Sequence, residues 1–242
     1  MMKLINILFV VTICSLGLSP AAWASLREGK EAYEQGYLNK AEKILSKVAQ
    51  ADPKNSEALL YLGHSLLGQK KWQKAAEAYE QVTTNNANNK EAWNYLGIIY
   101  STMKDDQKAY VAFSRALQID EDYIQAYYNL GLLAMTMNRM EEASGYFNEV
   151  VKRSRNFPGV HHHLGVLYQM SDNIGKAFSE YFKEIALTNN PDTHYNLGLL
   201  YLEHKKNFKK AKSHFQAVLL VRPEDEEVKL RLQGIEKELR GE

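Results

Sequence analysis

Apolar and small residues recur along this chain with a nearly constant period. A Leu-Gly pair occurs five times at intervals of 34, 34, 34 and 33 residues, and Gly29 stands one period before the first pair. An alanine follows each of the six glycines, and a large apolar or aromatic side chain follows four residues after it: Ala41 and Leu45, Ala75 and Tyr79, Ala109 and Phe113, Ala143 and Phe147, Ala177 and Tyr181, Ala211 and Phe215. A period of this length is typical of proteins built from stacked repeats.

The spacing within each repeat predicts α-helices. Trp93, Leu96 and Tyr100 stand at i, i+3 and i+7, which places them on one face of a helix. The chain has only 14 Gly and 5 Pro in 242 residues, and so few helix breakers favour long helices over short strands. We therefore expect an all-α protein with six repeats, at residues 22–55, 56–89, 90–123, 124–157, 158–190 and 191–225.

Three details of this division are predictions of their own. The opening helix is expected to begin near Ser25, which can serve as its N-cap. The sixth repeat has one extra residue, which we place in the loop 203–207 between its two helices. Residues 226–242 are expected to form a capping helix, because repeat stacks need a polar terminal helix. Its apolar stripe would be Val228, Leu232, Ile235 and Leu239.

The pattern resembles the tetratricopeptide repeat (TPR). The third copy fits best, with Trp93-x2-Leu96-Gly97-x2-Tyr100, followed by Ala109-x3-Phe113. The resemblance implies a superhelical solenoid in which each repeat is a helix-turn-helix of two antiparallel helices. Gly97 has no Cβ and would let the second helix approach closely. We expect Ala109 to be its small counterpart across that contact and Phe113 to fill the space beyond.

The resemblance also implies a binding groove lined by the first helix of each repeat. At the corresponding positions this sequence has apolar, aromatic, Asn and His side chains, which suit an extended or helical apolar peptide. The implied peptide-binding residues are Leu60, Tyr61, His64, Asn94, Tyr95, Ile98, Tyr128, Asn129, Leu132, His162, His163, Val166, Tyr195, Asn196 and Leu199. The alternative for each of them, and for Leu132 and Leu199 in particular, is packing against a neighbouring repeat.

The first 24 residues have the pattern of a secretory signal peptide. A short basic start is followed by an apolar run over residues 4–18 and by the small-residue site Ala22-Trp23-Ala24. Cleavage is expected between Ala24 and Ser25, which would deliver a protein without a stable membrane span, probably to a bacterial periplasm. Cys14 follows Ile13 and lacks the small residue that a lipoprotein site requires. An uncleaved membrane anchor remains the alternative.

Composition excludes several functions. The net charge is +1, which argues against a dedicated nucleic-acid binder, and a single Cys excludes a disulfide framework. Signal peptide, repeats and capping helix account for the whole chain, so no separate catalytic domain remains. No nucleophile with a matching base is visible and no cofactor motif is present, so we expect a protein that is not an enzyme and that has no cofactor.

Two clusters could carry other chemistry. Three histidines stand together at His161, His162 and His163, but neighbouring helical residues point about 100° apart and cannot share one metal ion. We expect His161 to lie in the core and no metal site to form. Five lysines, which are Lys205, Lys206, Lys209, Lys210 and Lys212, form a basic cluster. A solvated surface is the favoured interpretation of that cluster, and a docking patch for an anionic lipid or polymer is the alternative.

These features predict an exported TPR scaffold that binds a protein or peptide segment in its groove and supports assembly of a larger complex. Exported chains of six TPRs also resemble the pilotins of type IV pili, although the missing lipoprotein site departs from that group. A metal-handling or enzymatic role centred on His162 and His163 is a further alternative. Self-association through exposed apolar faces is another.

Overall fold

The computed structural model describes residues 20–241, which form thirteen α-helices and no β-strand. The helices are α1 (Pro20–Glu34), α2 (Leu38–Ala51), α3 (Ser56–Gly68), α4 (Trp72–Asn85), α5 (Lys90–Thr102), α6 (Asp106–Ile119), α7 (Ile124–Thr136), α8 (Met140–Arg153), α9 (Val160–Met170), α10 (Ile174–Leu187), α11 (Pro191–Glu203), α12 (Phe208–Val221) and α13 (Glu226–Arg240). The all-α fold class is thus confirmed. The chain divides into two compact units, Met1–Leu133 (unit 1) and Ala134–Glu242 (unit 2).

A seam between glycine and a large side chain holds the helices of a hairpin together. A Cβ placed on Gly63 of α3 would lie 2.8 Å from the ring of Tyr79 on α4, and one on Gly198 of α11 would lie 2.8 Å from Phe215 on α12. The close approach expected at Gly97 is confirmed, but its partner differs. The Phe113 ring itself lies against Gly97, where we had expected Ala109. Repeats therefore pack a ring onto bare backbone.

Short turns with polar caps join these helices. The side chains of Asn55, Asn89, Asp105 and Asn207 each accept a hydrogen bond from a backbone N–H in the first turn of the helix that follows. Such caps satisfy donors that the helix itself leaves unpaired. The turn within the sixth repeat, 204–207, has four residues where the other hairpins have three. The extra residue lies where the sequence placed it.

The same turns contain a feature that the sequence analysis missed. The first helix of successive hairpins is followed by a non-glycine residue in the left-handed region, at Lys70, Lys104, Asn138, Asp172 and Lys206. These positions are 34 residues apart, and Gly36 has the same conformation one period earlier. A left-handed residue ends a helix by turning its last backbone N–H groups back onto its carbonyls.

The two ends of the described chain differ from expectation. Helix α1 begins at Pro20, so Ala24 and Ser25 lie inside it and Ser25 is not its N-cap. Most of the predicted signal peptide, residues 1–19, lies outside the described residues. At the other end, Val228 and Ile235 of α13 are buried, whereas Leu239 is 41% exposed and does not complete the apolar stripe. No helix in the described part of the chain is both long and apolar enough to cross a membrane.

Candidate peptide-binding surface

In unit 1 the implied peptide-binding residues lie on three successive first helices. Helix α3 holds Leu60, Tyr61 and His64, helix α5 holds Asn94, Tyr95 and Ile98, and helix α7 holds Tyr128, Asn129 and Leu132. Each trio spans one helical turn, so its members share one side of the helix. All nine are half-buried except Asn94, which is buried.

His64 is the centre of an aromatic cluster in unit 1. We call Tyr33, Tyr61, His64, Tyr79 and Tyr95 the tyrosine–histidine cluster. The His64 ring stacks on Tyr33 with 5.7 Å between centroids and meets the edge of Tyr95 at 4.7 Å. Its Nδ1 atom is 2.6 Å from the Tyr79 hydroxyl, and Tyr79 stacks on Tyr95 at 5.2 Å. Burial lowers the pKa of His64, so the cluster is uncharged at neutral pH.

Sequence analysis missed two members of this cluster. Tyr33 of α1 stands four residues after Gly29, which is the register of Leu67 after Gly63, so the repeat alignment could have found it. Tyr79 was assigned to the core, and its side chain is indeed fully buried. Only its hydroxyl, which reaches His64, connects the core with the surface cluster.

A cleft of about 640 Å³ opens beside this cluster. Its described lining residues are Tyr33, Glu34, Leu38, His64, Leu67, Gly68, Trp72, Tyr95, Ile98 and Thr102. The walls are aromatic and aliphatic, and Glu34 is the one formally charged residue among those described. Clefts of about 300–1,000 Å³ with apolar walls and few polar groups are typical ligand sites.

Some implied peptide-binding groups are already used inside the protein. The Asn129 amide donates a hydrogen bond of 2.9 Å to the Asn94 side-chain oxygen, and so joins α7 to α5. Leu60 and Tyr95 also pack partly against the core of unit 1. These residues shape the wall of the surface, and the exposed parts of Tyr95 and Ile98 remain for a ligand.

In unit 2 the corresponding residues lie on α9 and α11, and their polar groups have partners. His162 Nδ1 is 2.8 Å from the Thr193 hydroxyl, and the His163 ring stacks on Phe147 at 5.3 Å. The Asn196 amide donates to the Tyr181 hydroxyl at 3.1 Å. Val166 and Leu199 are half-buried and pack against core clusters. This surface is more self-satisfied than that of unit 1.

Helix α13 reaches Tyr195. The Tyr195 hydroxyl donates a hydrogen bond of 2.5 Å to Glu227, and the Arg231 guanidinium lies 5.5 Å from the centre of the tyrosine ring. Burial, and then the bond to Glu227, raise the pKa of Tyr195. The capping helix thus engages a side chain that the sequence assigned to a partner.

The histidines form structural contacts rather than a cluster of metal ligands. His161 is buried, as expected, with Nδ1 2.7 Å from Glu180 and Nε2 2.9 Å from the Arg155 carbonyl. Burial, with a smaller contribution from His162, lowers the pKa of His163 to about 4. Within residues 20–241 no three His, Cys, Asp or Glu side chains are placed to hold one metal ion.

Models of the tetratricopeptide repeat match the chain over residues 32–99, 91–123, 124–157 and 191–225. The chain therefore belongs to the tetratricopeptide repeat family. Repeats of this kind serve protein–protein interaction, and proteins built from them are generally scaffolds without catalytic activity. No protein of curated function matches the sequence significantly.

Solved structures share the fold. PilF from Pseudomonas aeruginosa is 21% identical, with a TM-score of 0.75 over 90% of this chain and 97% of PilF. MamA is 24% identical, with a TM-score of 0.61 over 66% of this chain and 93% of MamA. YrrB, described as a TPR protein with an unusual peptide-binding site, is 17% identical, with a TM-score of 0.59 over 78% of this chain and 97% of YrrB. At these identities the likeness concerns the fold alone.

Proposed function

We propose that this protein is an exported adaptor that binds an apolar peptide segment of a partner protein in the cleft of unit 1. The observation that carries the proposal is the tyrosine–histidine cluster, which presents uncharged aromatic edges beside a cleft of about 640 Å³. Rigid aromatic side chains bind partners at a low cost in conformational entropy. The peptide-binding site described for YrrB supports the idea that this fold holds peptides.

The geometry favours an apolar ligand over an acidic tail. The described walls of the cleft contain no Lys or Arg, and Glu34 would repel a carboxylate. A buried carboxylate without a cation to pair with costs several kcal/mol of desolvation, on the order of the cost of an unpaired buried ion. An apolar side chain of the partner, seated between Tyr95, Leu67 and Ile98, would lose no hydrogen bonds on binding.

Site-specific photo-crosslinking in the native cell tests this function. A crosslinking amino acid at Leu67 should give one dominant protein adduct, and Ile98→Glu should remove it because a carboxylate would enter the apolar wall. Val111→Glu is the matched control, since Val111 lies on α6 and is already 54% exposed. An adduct that survives Ile98→Glu, or that disappears equally in both variants, contradicts the proposal.

Export is tested separately. The protein recovered from the periplasm should begin at Ser25 by N-terminal sequencing. Protein that retains residues 1–24 in a membrane fraction would instead favour the uncleaved anchor.

A second candidate is a role in type IV pilus assembly, through the resemblance to pilotins. The fold match to PilF covers both chains almost from end to end, which is the observation that favours it. Under this candidate the crosslinked partner would be the secretin of the pilus, and deletion of the gene would reduce secretin multimers. A different dominant partner would exclude it while leaving the adaptor function intact.

A further inference from the structure

A second cleft, in unit 2, combines aromatic walls with lysines. It has a volume of about 390 Å³, and its described lining residues are Phe178, Phe182, Tyr201, Lys205, Asn207 and Lys210. We call it the Lys–Phe cleft. It lies where α10 meets α11, the turn 204–207 and the start of α12. Tyr201 is two residues, or about 200°, around α11 from Leu199, so this cleft is separate from the implied peptide groove.

The aromatic wall is preformed. The rings of Phe178 and Phe182 stack with 6.3 Å between centroids, and Phe178 meets Tyr201 at 5.0 Å. His214 stacks on Tyr201 from the other side at 5.5 Å. Tyr201 is buried by these contacts, whereas Phe182 remains 43% exposed. One aromatic face is therefore held in place and left open to solvent.

The charges around the cleft are all positive among its described lining residues. Lys210 lies 5.1 Å from the centre of the Tyr201 ring, and Lys205 stands in the turn beside it. Lys206 and Lys209 are exposed nearby in the sequence. Within the described residues these four lysines form no salt bridge, unlike Lys212, which pairs with Glu236 of α13 at 2.7 Å. The cluster thus offers cations that the protein does not neutralise itself.

We propose that the Lys–Phe cleft is a second docking site, and that it binds an acidic protein segment that carries an aromatic or large aliphatic anchor. The anchor would lie on Phe182 and Phe178, and carboxylates on either side of it would meet Lys205 and Lys210. Apolar burial and charge pairing act together in such a site, which gives both affinity and orientation. An anionic bilayer suits the site less well, because a broad headgroup layer would not fill a narrow cleft between a ring and a turn.

Peptide selection on the purified full-length protein tests the proposal. A displayed library of random 12-residue peptides is selected on the wild type and depleted on the double variant Lys205→Glu, Lys210→Glu. We expect the recovered peptides to carry two or more acidic residues around an aromatic or large aliphatic residue. Peptides without acidic enrichment, or peptides retained equally by the double variant, would overturn the proposal.

Titration of a recovered peptide then separates the two contributions. We expect Lys205→Glu with Lys210→Glu to weaken binding at least tenfold, and Phe182→Ala to weaken it about fivefold. The matched control is Lys43→Glu with Lys47→Glu, two exposed lysines of α2 with the same change of charge, which should leave affinity within about twofold. Equal weakening by both double variants would reduce the effect to net charge and contradict a site.

Vesicles provide the last arm. Vesicles of phosphatidylcholine and phosphatidylglycerol in a 3:1 ratio should not bind the protein through this cleft. Vesicle binding that is lost in the Lys205→Glu, Lys210→Glu variant but not in the Lys43→Glu, Lys47→Glu control would assign the cleft to a membrane surface and overturn the proposal. Circular dichroism and melting curves confirm that each variant is folded.

Discussion

The hydroxyl of Tyr79 and Nδ1 of His64 are 2.6 Å apart, and this hydrogen bond joins the core of unit 1 to its surface cluster. The Tyr79 ring lies on Gly63, so its position is set by the seam of the hairpin. His64 in turn contacts Tyr33, Tyr61 and Tyr95. The aromatic edges beside the cleft are therefore oriented by a side chain that is itself fully buried.

Removing that hydroxyl should cost stability without changing the fold. Tyr79→Phe keeps the ring on Gly63 but leaves His64 without its buried partner, so we expect the free energy of unfolding to fall by about 1 kcal/mol. Urea unfolding measures the change. Tyr37→Phe is the control, since Tyr37 is 61% exposed and its loss should be near zero. Equal losses in the two variants would contradict the assigned role of the bond.

The glycine seam predicts opposite signs for two Gly→Ala changes. A methyl at Gly97 would overlap the Phe113 ring, so Gly97→Ala should lower the free energy of unfolding by about 1–3 kcal/mol. Gly145 in the middle of α8 has no atom within 4 Å of an added Cβ. Gly145→Ala should therefore stabilise by about 0.5–1 kcal/mol through helix propensity. If both variants melt alike, ring-on-backbone packing does not limit stability.

The left-handed residues predict a stabilising change. Lys104 has φ 65°, a conformation that costs a residue with a Cβ about 1–2 kcal/mol. Lys104→Gly should remove this strain, and after the greater entropy of glycine in the unfolded chain it should gain about 0.5–1 kcal/mol. Gly36 has φ 79° in the first hairpin, so Gly36→Ala should lose about 1 kcal/mol. Chemical unfolding of both variants checks the pair, and a destabilised Lys104→Gly would refute the argument.

Glu184 of α10 replaces a missing cap on α9. Its buried carboxylate accepts hydrogen bonds from the backbone N–H of Gly159 at 3.0 Å and from the Thr188 hydroxyl at 2.8 Å. Gly159 has no side chain of its own to cap the helix. Glu184→Gln removes the negative charge at the helix N-terminus and one acceptor, and we expect a loss of about 2 kcal/mol. Thermal melting is the measurement.

The control for Glu184 is another glutamate that pairs only near the surface. Glu149→Gln removes an ion pair with Arg153 on α8, where the Glu149 side chain is 38% exposed. Exposed pairs contribute at most about 1 kcal/mol. A Glu184→Gln loss no larger than the Glu149→Gln loss would show that the cap is not required.

Stability should fall below neutral pH because of the histidines. The pKa of His163 is lowered to about 4, and burial lowers the pKa values of His64 and His162 as well. A folded-state pKa below the unfolded value means that protons bind the unfolded chain first. The stabilisation is therefore complete above about pH 6.5 and is lost as the pH falls towards 4.

Melting temperatures measured from pH 7.5 to pH 5 test this direction. At pH 5 the His163 contribution alone should be on the order of 2 kcal/mol. His163→Phe should flatten the profile, because the Phe side chain cannot take up a proton. A melting temperature that rises between pH 7 and pH 5 would contradict the burial of these rings.

The sequence by itself determined the repeat. The period of 34 residues, the pairing of Gly with an apolar or aromatic residue, and the position of the extra residue at 204–207 could all be read from spacing, because a helical hairpin packs through residues close in the chain. For the same reason His161 could be assigned to the core from its register with Trp93.

Only the tertiary structure decided which surface side chains remain for a partner. Asn94 pairs with Asn129, 35 residues away, and Tyr195 is engaged by Glu227, 32 residues away, while Tyr33 joins His64 from the preceding repeat. Equivalent positions of different repeats look alike in sequence. Whether each side chain is satisfied depends on the length and rotamer of a residue one repeat away, which is a property of the folded stack rather than of the local pattern.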